Sequence, residues 1–169
     1  LRPTLINEGF NEIINYSFKP QKQDSEMQIL NPLGLEFTNL RTSLIPNLVE
    51  TAQNNLKQRN PISWGFEFGR TFNKAQNIEY TMLSGIFGGI TYKSDWNYKK
   101  SQQTTLTWYE AKDKINKITE SIGLNVNWAK VGTKMGHIYH PGRTAILSCN
   151  SKEIGFFSQL NPLYAKQND

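Results

Sequence analysis

Apolar side chains recur at helical spacing twice along the chain. Ile45, Leu48, Val49, Ala52 and Leu56 fall on one stripe, which predicts a helix of about 15 residues, three to four turns. Ser43 or Thr42 can cap it, and Pro46 lies in the first turn, where its missing N–H does no harm. Lys57 and Arg59 complement the C-terminal dipole before Asn60-Pro61 ends the helix. The second helix is signalled more completely. Trp108, Ala111, Ile115, Ile118 and Ile122 repeat at three and four, Thr107 and Glu110 form a capping-box pattern, and Gly123 supplies the stop. Pro3 and Gly9 bracket a shorter helix at the start.

Elsewhere the period is two. Phe10, Glu12, Ile14, Tyr16 and Phe18 alternate with Asn11, Ile13, Asn15 and Ser17, which predicts a strand. Met27 to Leu30 predicts a short strand stopped by Asn31-Pro32. Ile62, Trp64, Phe66 and Phe68 alternate with Ser63, Gly65, Glu67 and Gly69, so one side is aromatic and buried. The other side carries small residues and a carboxylate, which leaves room above the sheet. Tyr80 to Ile90 is a further strand, in which Gly85, Gly88 and Gly89 mark bulges or close backbone approach. Val126 to Val131, Arg143 to Cys149 and Ile154 to Leu160 complete the set, the last two joined by the hairpin connection Asn150-Ser151-Lys152. Many strands and few helices predict an α+β fold around a largely antiparallel sheet.

Composition narrows the classes. The 169 residues include nine Phe, seven Tyr and four Trp, enough aromatic surface to offset the entropy of ordering. The lone Cys149 excludes an internal disulfide framework and a multi-cysteine metal site, and points to a reducing compartment. No apolar stretch approaches the ~20 residues of a membrane helix, so no membrane partner is expected. The chain starts at Leu1 on what reads as domain interior and stops at Gln167-Asn168-Asp169; the expectation is a single domain over 1–169 cut from a longer chain. Eighteen Asn, fourteen Lys and fifteen Ile against five Arg is the usage of an AT-rich genome, which points to a plastid or an AT-rich bacterium.

The net charge of +5 arises entirely after residue 60. Lys93, Lys99, Lys100, Lys112, Lys114, Lys117, Lys130 and Lys134 stand there against Asp95, Glu110, Asp113 and Glu120. Such a face either attracts RNA through counterion release or is a solvated, solubilising surface.

Candidate chemistry is thin. The glycines of Gly85 to Gly89 lack a following Lys-Ser/Thr and a helix start, so a structural bulge outweighs a phosphate cradle. His137 and His140 have too few companions for zinc, and Pro141 holds His140 extended. In His140-Pro141-Gly142-Arg143, Pro-Gly makes a turn and Arg143 enters the next strand with a fork suited to carboxylate or phosphate. Glu67 and Arg70 are the inward-facing candidates to meet it, as a structural pair or as a ligand site. Neither a nucleophile elbow nor paired acids are evident.

Four segments, in order, carry a family resemblance. Leu5 to Phe18 resembles Gly-Phe-x-Glu-(Val/Ile)-x-(Thr/Asn)-Tyr-Ser-Phe. Asn31-Pro32-Leu33 with Leu40-Arg41-Thr42-Ser43-Leu44-Ile45-Pro46 resembles an Asn-Pro and Leu-Arg-x-Ser-Leu-(Ile/Leu)-Pro signature. Phe66-Glu67-Phe68-Gly69-Arg70-Thr71-Phe72 and His140-Pro141-Gly142-Arg143-Thr144-Ala145 are similar to Phe-Glu-x-Gly-x-(Val/Phe)-Phe and His-Pro-Gly-Arg-(Ser/Cys)-Ala. Together they resemble the catalytic-like core domain of phenylalanyl-tRNA synthetase β subunits of the bacterial and organellar type.

That resemblance implies a class II aminoacyl-tRNA synthetase-like core, an antiparallel sheet flanked by helices, with no catalytic, cofactor-binding or metal residues of its own. Glu67, Arg70, His140, Gly142 and Arg143 become degenerate-site or structural-motif residues. Consistently, neither Arg-x-Glu nor Gly-x-Gly-x-x-Arg occurs. ATP and Mg²⁺ are implied for the whole enzyme, with an α subunit in an (αβ)₂ tetramer and tRNA(Phe) as partners. The stripe Ile45, Leu48, Val49, Ala52 and Leu56, ordinarily core, is implied to face the α subunit. Two departures stand out: Lys112-Asp113 replaces the family's Lys-Gly, and Asn161-Pro162 replaces His-Pro. Rival readings are an independent adenylating domain holding ATP on Glu67, Arg70 and Arg143, and a freestanding RNA-binding module using the lysine face.

Overall fold

The structure is a computed structural model that describes the chain except residues 22–25, 59, 61–63, 94–101, 132–134 and 168–169, and except the side chains of 90–93, 102–104 and 167. The elements of the first half are α1 (Arg2–Asn7), β1 (Asn11–Glu12), β2 (Phe18–Lys19), a 3-10 turn (Leu35–Phe37), β3 (Asn39–Leu40), α2 (Ile45–Lys57), β4 (Gly65–Asn73) and β5 (Ile78–Ile86). Then follow β6 (Ile90–Lys93), β7 (Gln102–Thr105), α3 (Trp108–Ser121), β8 (Asn127–Lys130), β9 (Tyr139–Cys149), β10 (Lys152–Leu160) and α4 (Pro162–Gln167). They group into two compact units, Gly9–Ile90 and Leu1–Glu8 with Thr91–Asp169, where the sequence predicts one domain.

In the Gly9–Ile90 unit the sheet runs β1-β4-β5. β1 lies parallel to β4, and β4 pairs antiparallel with β5 without interruption from Gly65↔Ile86 to Asn73↔Ile78. Of the predicted aromatic strand, Ile62 and Ser63 lie outside the described residues. Phe66 is buried, and Phe10, Trp64 and Phe87 form a ring cluster with centroids 5.2–5.7 Å apart. Helix α2 packs on β5 and β4. It begins at Ile45 with Leu44 as N-cap, so neither Thr42 nor Ser43 holds the cap position predicted for them; Ser43, one residue before it, accepts from Ile45 N–H at 3.2 Å. Arg59 lies outside the described residues; the helix ends at Lys57.

The predicted strand over residues 10–18 is broken. Only Asn11–Glu12 and Phe18–Lys19 join ladders, because the chain between them spends its hydrogen-bonding groups on side chains and a single carbonyl. Its alternation survives nonetheless. From Ile13 to Lys19 the odd residues are half-buried and the even ones exposed. Met27 to Leu30 similarly shrinks to a bridge between Gln28 and Asn39, flanked by Ile29 N–H to Thr38 O and Leu40 N–H to Met27 O, both 2.9 Å.

The other unit is built on an antiparallel sheet ordered β10-β9-β8. Trp108 of α3 and Trp128 of β8 meet Phe157 of β10 with centroids 4.8 and 5.8 Å apart, and this aromatic cluster joins helix to sheet. Both halves of the Thr107–Glu110 capping box form. At the other end Gly123 takes φ +76°, its N–H reaches Glu120 O and that of Leu124 reaches Thr119 O, a Schellman closure. Lys114 of α3 donates to the Glu8 carboxylate at 2.8 Å, holding α1 in place. Asn161 accepts from Leu163 N–H at 3.0 Å and so caps α4.

The β9–β10 hairpin turns on two residues, with Cys149 opposite Lys152 and positive φ at both Asn150 (50°) and Ser151 (63°). That is the type I′ geometry whose second position favours glycine. Ser151→Gly is expected to raise stability by about 0.5 kcal/mol, relief of the left-handed conformation being offset in part by the entropy of a glycine in the unfolded chain. Ser151→Val is expected to lower it; thermal unfolding of the pair, compared with the parent chain, checks both.

Candidate functional site

Strand alternation places Gly65, Glu67 and Gly69 on one side of β4 and Phe66 and Phe68 on the other. The space predicted above the small-residue side is filled. Arg41, arriving from the β3–α2 connection, lays its guanidinium over Gly69 and against Glu67: Nη1 donates to Oε1 at 2.7 Å, with the two side chains 3% and 2% exposed. Its Nε donates to Arg70 O at 3.0 Å, its own N–H to Ser17 O at 2.9 Å, and its carbonyl accepts from Phe72 N–H at 3.0 Å. A Cβ on Gly69 would stand 2.2 Å from Arg41 Nη2 and 2.8 Å from Leu44 Cδ2, so Gly69 is required by close approach. The second Glu67 oxygen accepts from Asn15 Nδ2 at 2.8 Å, the Asn15 N–H lies 3.3 Å from the first, and Thr51 of α2 donates to Asn15 Oδ1 at 3.1 Å.

Four segments therefore meet at one carboxylate. Both Glu67 oxygens accept from this chain's own donors, and Arg41 fills the space over Gly69 that a phosphate or carboxylate ligand would need. The residues present do not fit a nucleotide.

The other candidates have partners of their own. Arg70 is exposed and pairs with Glu79 across the β4–β5 ladder at 3.2 Å. Arg143 donates to Gln159 Oε1 at 2.8 Å. Within the Gly9–Ile90 unit Glu67 pairs with Arg41 and Arg70 with Glu79, which corrects the predicted pairing of Glu67 with Arg70. His140-Pro141-Gly142 is not a turn preceding the strand but a bulge within it. Tyr139 opposite Leu160 and Thr144 opposite Ser158 leave residues 140–143 facing Gln159 alone. His140 Nδ1 accepts from Gly142 N–H at 3.0 Å, and Thr144 donates to His140 O at 2.7 Å, so the histidine braces the bulge. Burial pushes the neighbouring Tyr139 hydroxyl above its usual pKa. His137 lies against the Tyr164 ring at 5.6 Å. Among the described residues no group of three His, Cys, Asp or Glu could hold a metal ion, and no helix is long and apolar enough to cross a membrane.

The stripe on α2 is spent inside the chain. Leu48, Val49 and Ala52 are buried under the helix, Ile45 is half-buried, and only Leu56 is exposed. Leu48, Val49 and Ala52 have no surface left for another subunit, which corrects their assignment to an interface; an amphipathic helix on a sheet buries its stripe there first.

Exposed apolar surface lies elsewhere in the same unit. Ile14 is 90% and Tyr16 75% exposed, and Phe18 is exposed beside them. The Tyr16 and Phe18 rings flank Phe37 edge-on at 6.0 and 6.1 Å, and Leu30, Leu33 and Leu35 before it are almost fully exposed. This surface was missed in the sequence because alternation reports two faces without saying which is inward.

Part of the lysine face, Asp95, Lys99, Lys100 and Lys134 with the Lys93 side chain, lies outside the described residues. Of the rest, Lys114 pairs with Glu8, and Lys117 pairs with Asp113 at 2.8 Å, whose hydrogen bond and charge raise the Lys117 pKa. Lys112 sits 4.9 Å above the Trp128 ring, whose N–H donates to Asn116 at 2.8 Å. That indole face is already covered by a cation and offers little to a stacking base.

Comparison with known proteins agrees with this architecture. A pyrrolysyl tRNA synthetase, PylSc of Desulfitobacterium hafniense, superposes with a TM-score of 0.59 at 17% identity, over 90% of this chain and 51% of that one. The fold is thus the α+β, class II synthetase-like core, in which β1 and β4 run parallel while β4–β5, β8–β9, β9–β10 and β2–β3 are antiparallel. The phenylalanine–tRNA ligase beta subunit of Thermosynechococcus vestitus is 36% identical over 98% of this chain and 20% of its own length. The chloroplastic beta subunit of Phaeodactylum tricornutum is 40% identical over 96% of this chain and 24% of its own length. The chain thus spans a fifth to a quarter of these relatives. The family described as the phenylalanyl tRNA synthetase beta chain CLM domain matches residues 1–169, across both units, and the chain belongs to that family.

Proposed function

We propose that this chain is a non-catalytic core domain of a phenylalanine–tRNA ligase β subunit, both compact units included, and that it scaffolds the α subunit that attaches phenylalanine to tRNA(Phe) with ATP and Mg²⁺ in an (αβ)₂ tetramer. Family membership supports the parent enzyme, and relatives named as beta subunits presuppose another subunit. Chloroplastic relatives and the AT-rich residue usage support a plastid location, and bacterial relatives match the chain as well. The filled space over Gly69 argues against the adenylating rival, and the covered Trp128 ring against the RNA-binding one.

One observation carries the scaffold reading. Ile14, Tyr16, Phe18, Leu30, Leu33 and Leu35 are apolar and exposed, and the Tyr16 and Phe18 rings both meet Phe37, which follows the leucines. Six large exposed apolar side chains in one unit are more than the single scattered ones of an ordinary monomer surface, and they supply the apolar anchors that the core of an interface needs. The occupant assigned to this surface is the α subunit.

The experiment is co-purification of the full-length β subunit with its α subunit, wild type against Ile14→Asp/Tyr16→Asp. The substituted protein, folded by circular dichroism, is expected to bind α about a hundredfold more weakly, the scale of a lost hot spot. Undiminished binding overturns the reading, and so does a cross-link from this face to another segment of the β chain itself.

A further inference from the structure

Residues 13–19 are held in the register that hydrophobicity alone disfavours. Ile14, Tyr16 and Phe18 face solvent while Asn15, Ser17 and Lys19 face inward. A slip of one residue would exchange the two faces, burying three large apolar side chains and turning one, Ile13, outward, on balance the favourable direction. The inward polar side is gripped at three successive positions. Asn15 gives its N–H and Nδ2 to Glu67, Ser17 O accepts from Arg41 N–H, and Lys19 pairs with Glu26. Glu67 and Glu26 are both buried, 2% and 4% exposed. After a slip, an apolar side chain would stand against each carboxylate, which would keep its burial and lose a donor.

We infer that Glu67 and Glu26 are positioning residues that set this register, and that Arg41 acts through Glu67 by clamping it. Their buried charge selects the polar side of the segment and so turns the apolar side outward. Glu67 is then a strand-orienting group rather than the remnant of a ligand site. The consequence for assembly rests on the scaffold reading above; the register itself does not.

The test uses full-length β subunit carrying Tyr16→Cys or Ser17→Cys, labelled with maleimide and read by peptide mass spectrometry, which separates these thiols from native ones. With Asn15 intact, Tyr16→Cys is expected to react about tenfold faster or more than Ser17→Cys, the difference between an exposed and a hydrogen-bonded, half-buried position. With Asn15→Leu the order is expected to invert. General loosening would raise both rates together, so an unchanged ratio, or a parallel rise, overturns the inference. In parallel, Asn15→Leu is expected to weaken α binding at least about tenfold, one charge-assisted hydrogen bond's worth, while Val49→Ala, a buried control, leaves it unchanged. Inversion without any effect on α binding keeps the register pins and removes the scaffold surface. Loss of α binding for Ile14→Asp/Tyr16→Asp with no inversion does the reverse.

Discussion

Arg41→Ala should lower the stability of the Gly9–Ile90 unit by about 3–5 kcal/mol, the cost of leaving a buried charge without its partner. The number follows from the position of the pair. An exposed ion pair such as Arg70–Glu79, with side chains 66% and 53% exposed, contributes at most about 1 kcal/mol, because water screens both charges. Glu67 has no such recourse. It is 2% exposed, and without Arg41 it retains only the amide donors of Asn15. The substitution also removes the Nε–H donation to Arg70 O, while the main-chain bonds of residue 41 to Ser17 and Phe72 survive it. Urea unfolding followed by circular dichroism reads the change as a shift in midpoint at unchanged slope. Replacing the pair together, as Arg41→Met/Glu67→Leu, should cost less than either single change, since the buried charges disappear at once; a double variant no more stable than Arg41→Ala would mean that the lost Nε donation to Arg70 O, rather than the unpaired charge, is what matters. Gly69→Ala should fail for a related steric reason, its Cβ having no space beside the clamped guanidinium.

The two long helices were legible because each was announced by several local signals that agree. In α3 the apolar period, the Thr107–Glu110 box and Gly123 all point to the same boundaries, and the structure keeps every one. The Asn150-Ser151 hairpin was legible for the same reason. What sequence could not deliver was pairing across distance. Glu67 was picked out correctly as an inward carboxylate, but its arginine lies 26 residues earlier, in a connection with no periodic pattern, and Arg70 and Arg143 were the more visible candidates. Nor could alternation reveal that residues 13–19 are inverted, since that depends on buried acids at 26 and 67. The Pro141-Gly142 pair reads locally as a turn; only the pairing of Tyr139 and Thr144 on either side makes it a bulge.

The α2 stripe shows how a correct element can carry the wrong surface, and it gives the second large effect. Leu48 is 0% exposed, so Leu48→Ala should cost about 2–5 kcal/mol through lost transfer energy and a residual cavity. Leu48→Asp should unfold the unit outright, because it adds an unpaired buried charge to that loss. Leu56→Asp, on the same stripe but 51% exposed, should change stability by no more than about 0.5 kcal/mol. Thermal unfolding of the three variants separates a core helix from an assembly helix without any partner present: an interface stripe would leave the free chain equally stable in all of them, whereas a core stripe grades the loss by burial. It also dictates which assembly experiments mean anything. Loss of α binding by Leu48→Asp would report unfolding, while loss by Ile14→Asp/Tyr16→Asp, on a face the fold does not need for its own packing, reports recognition.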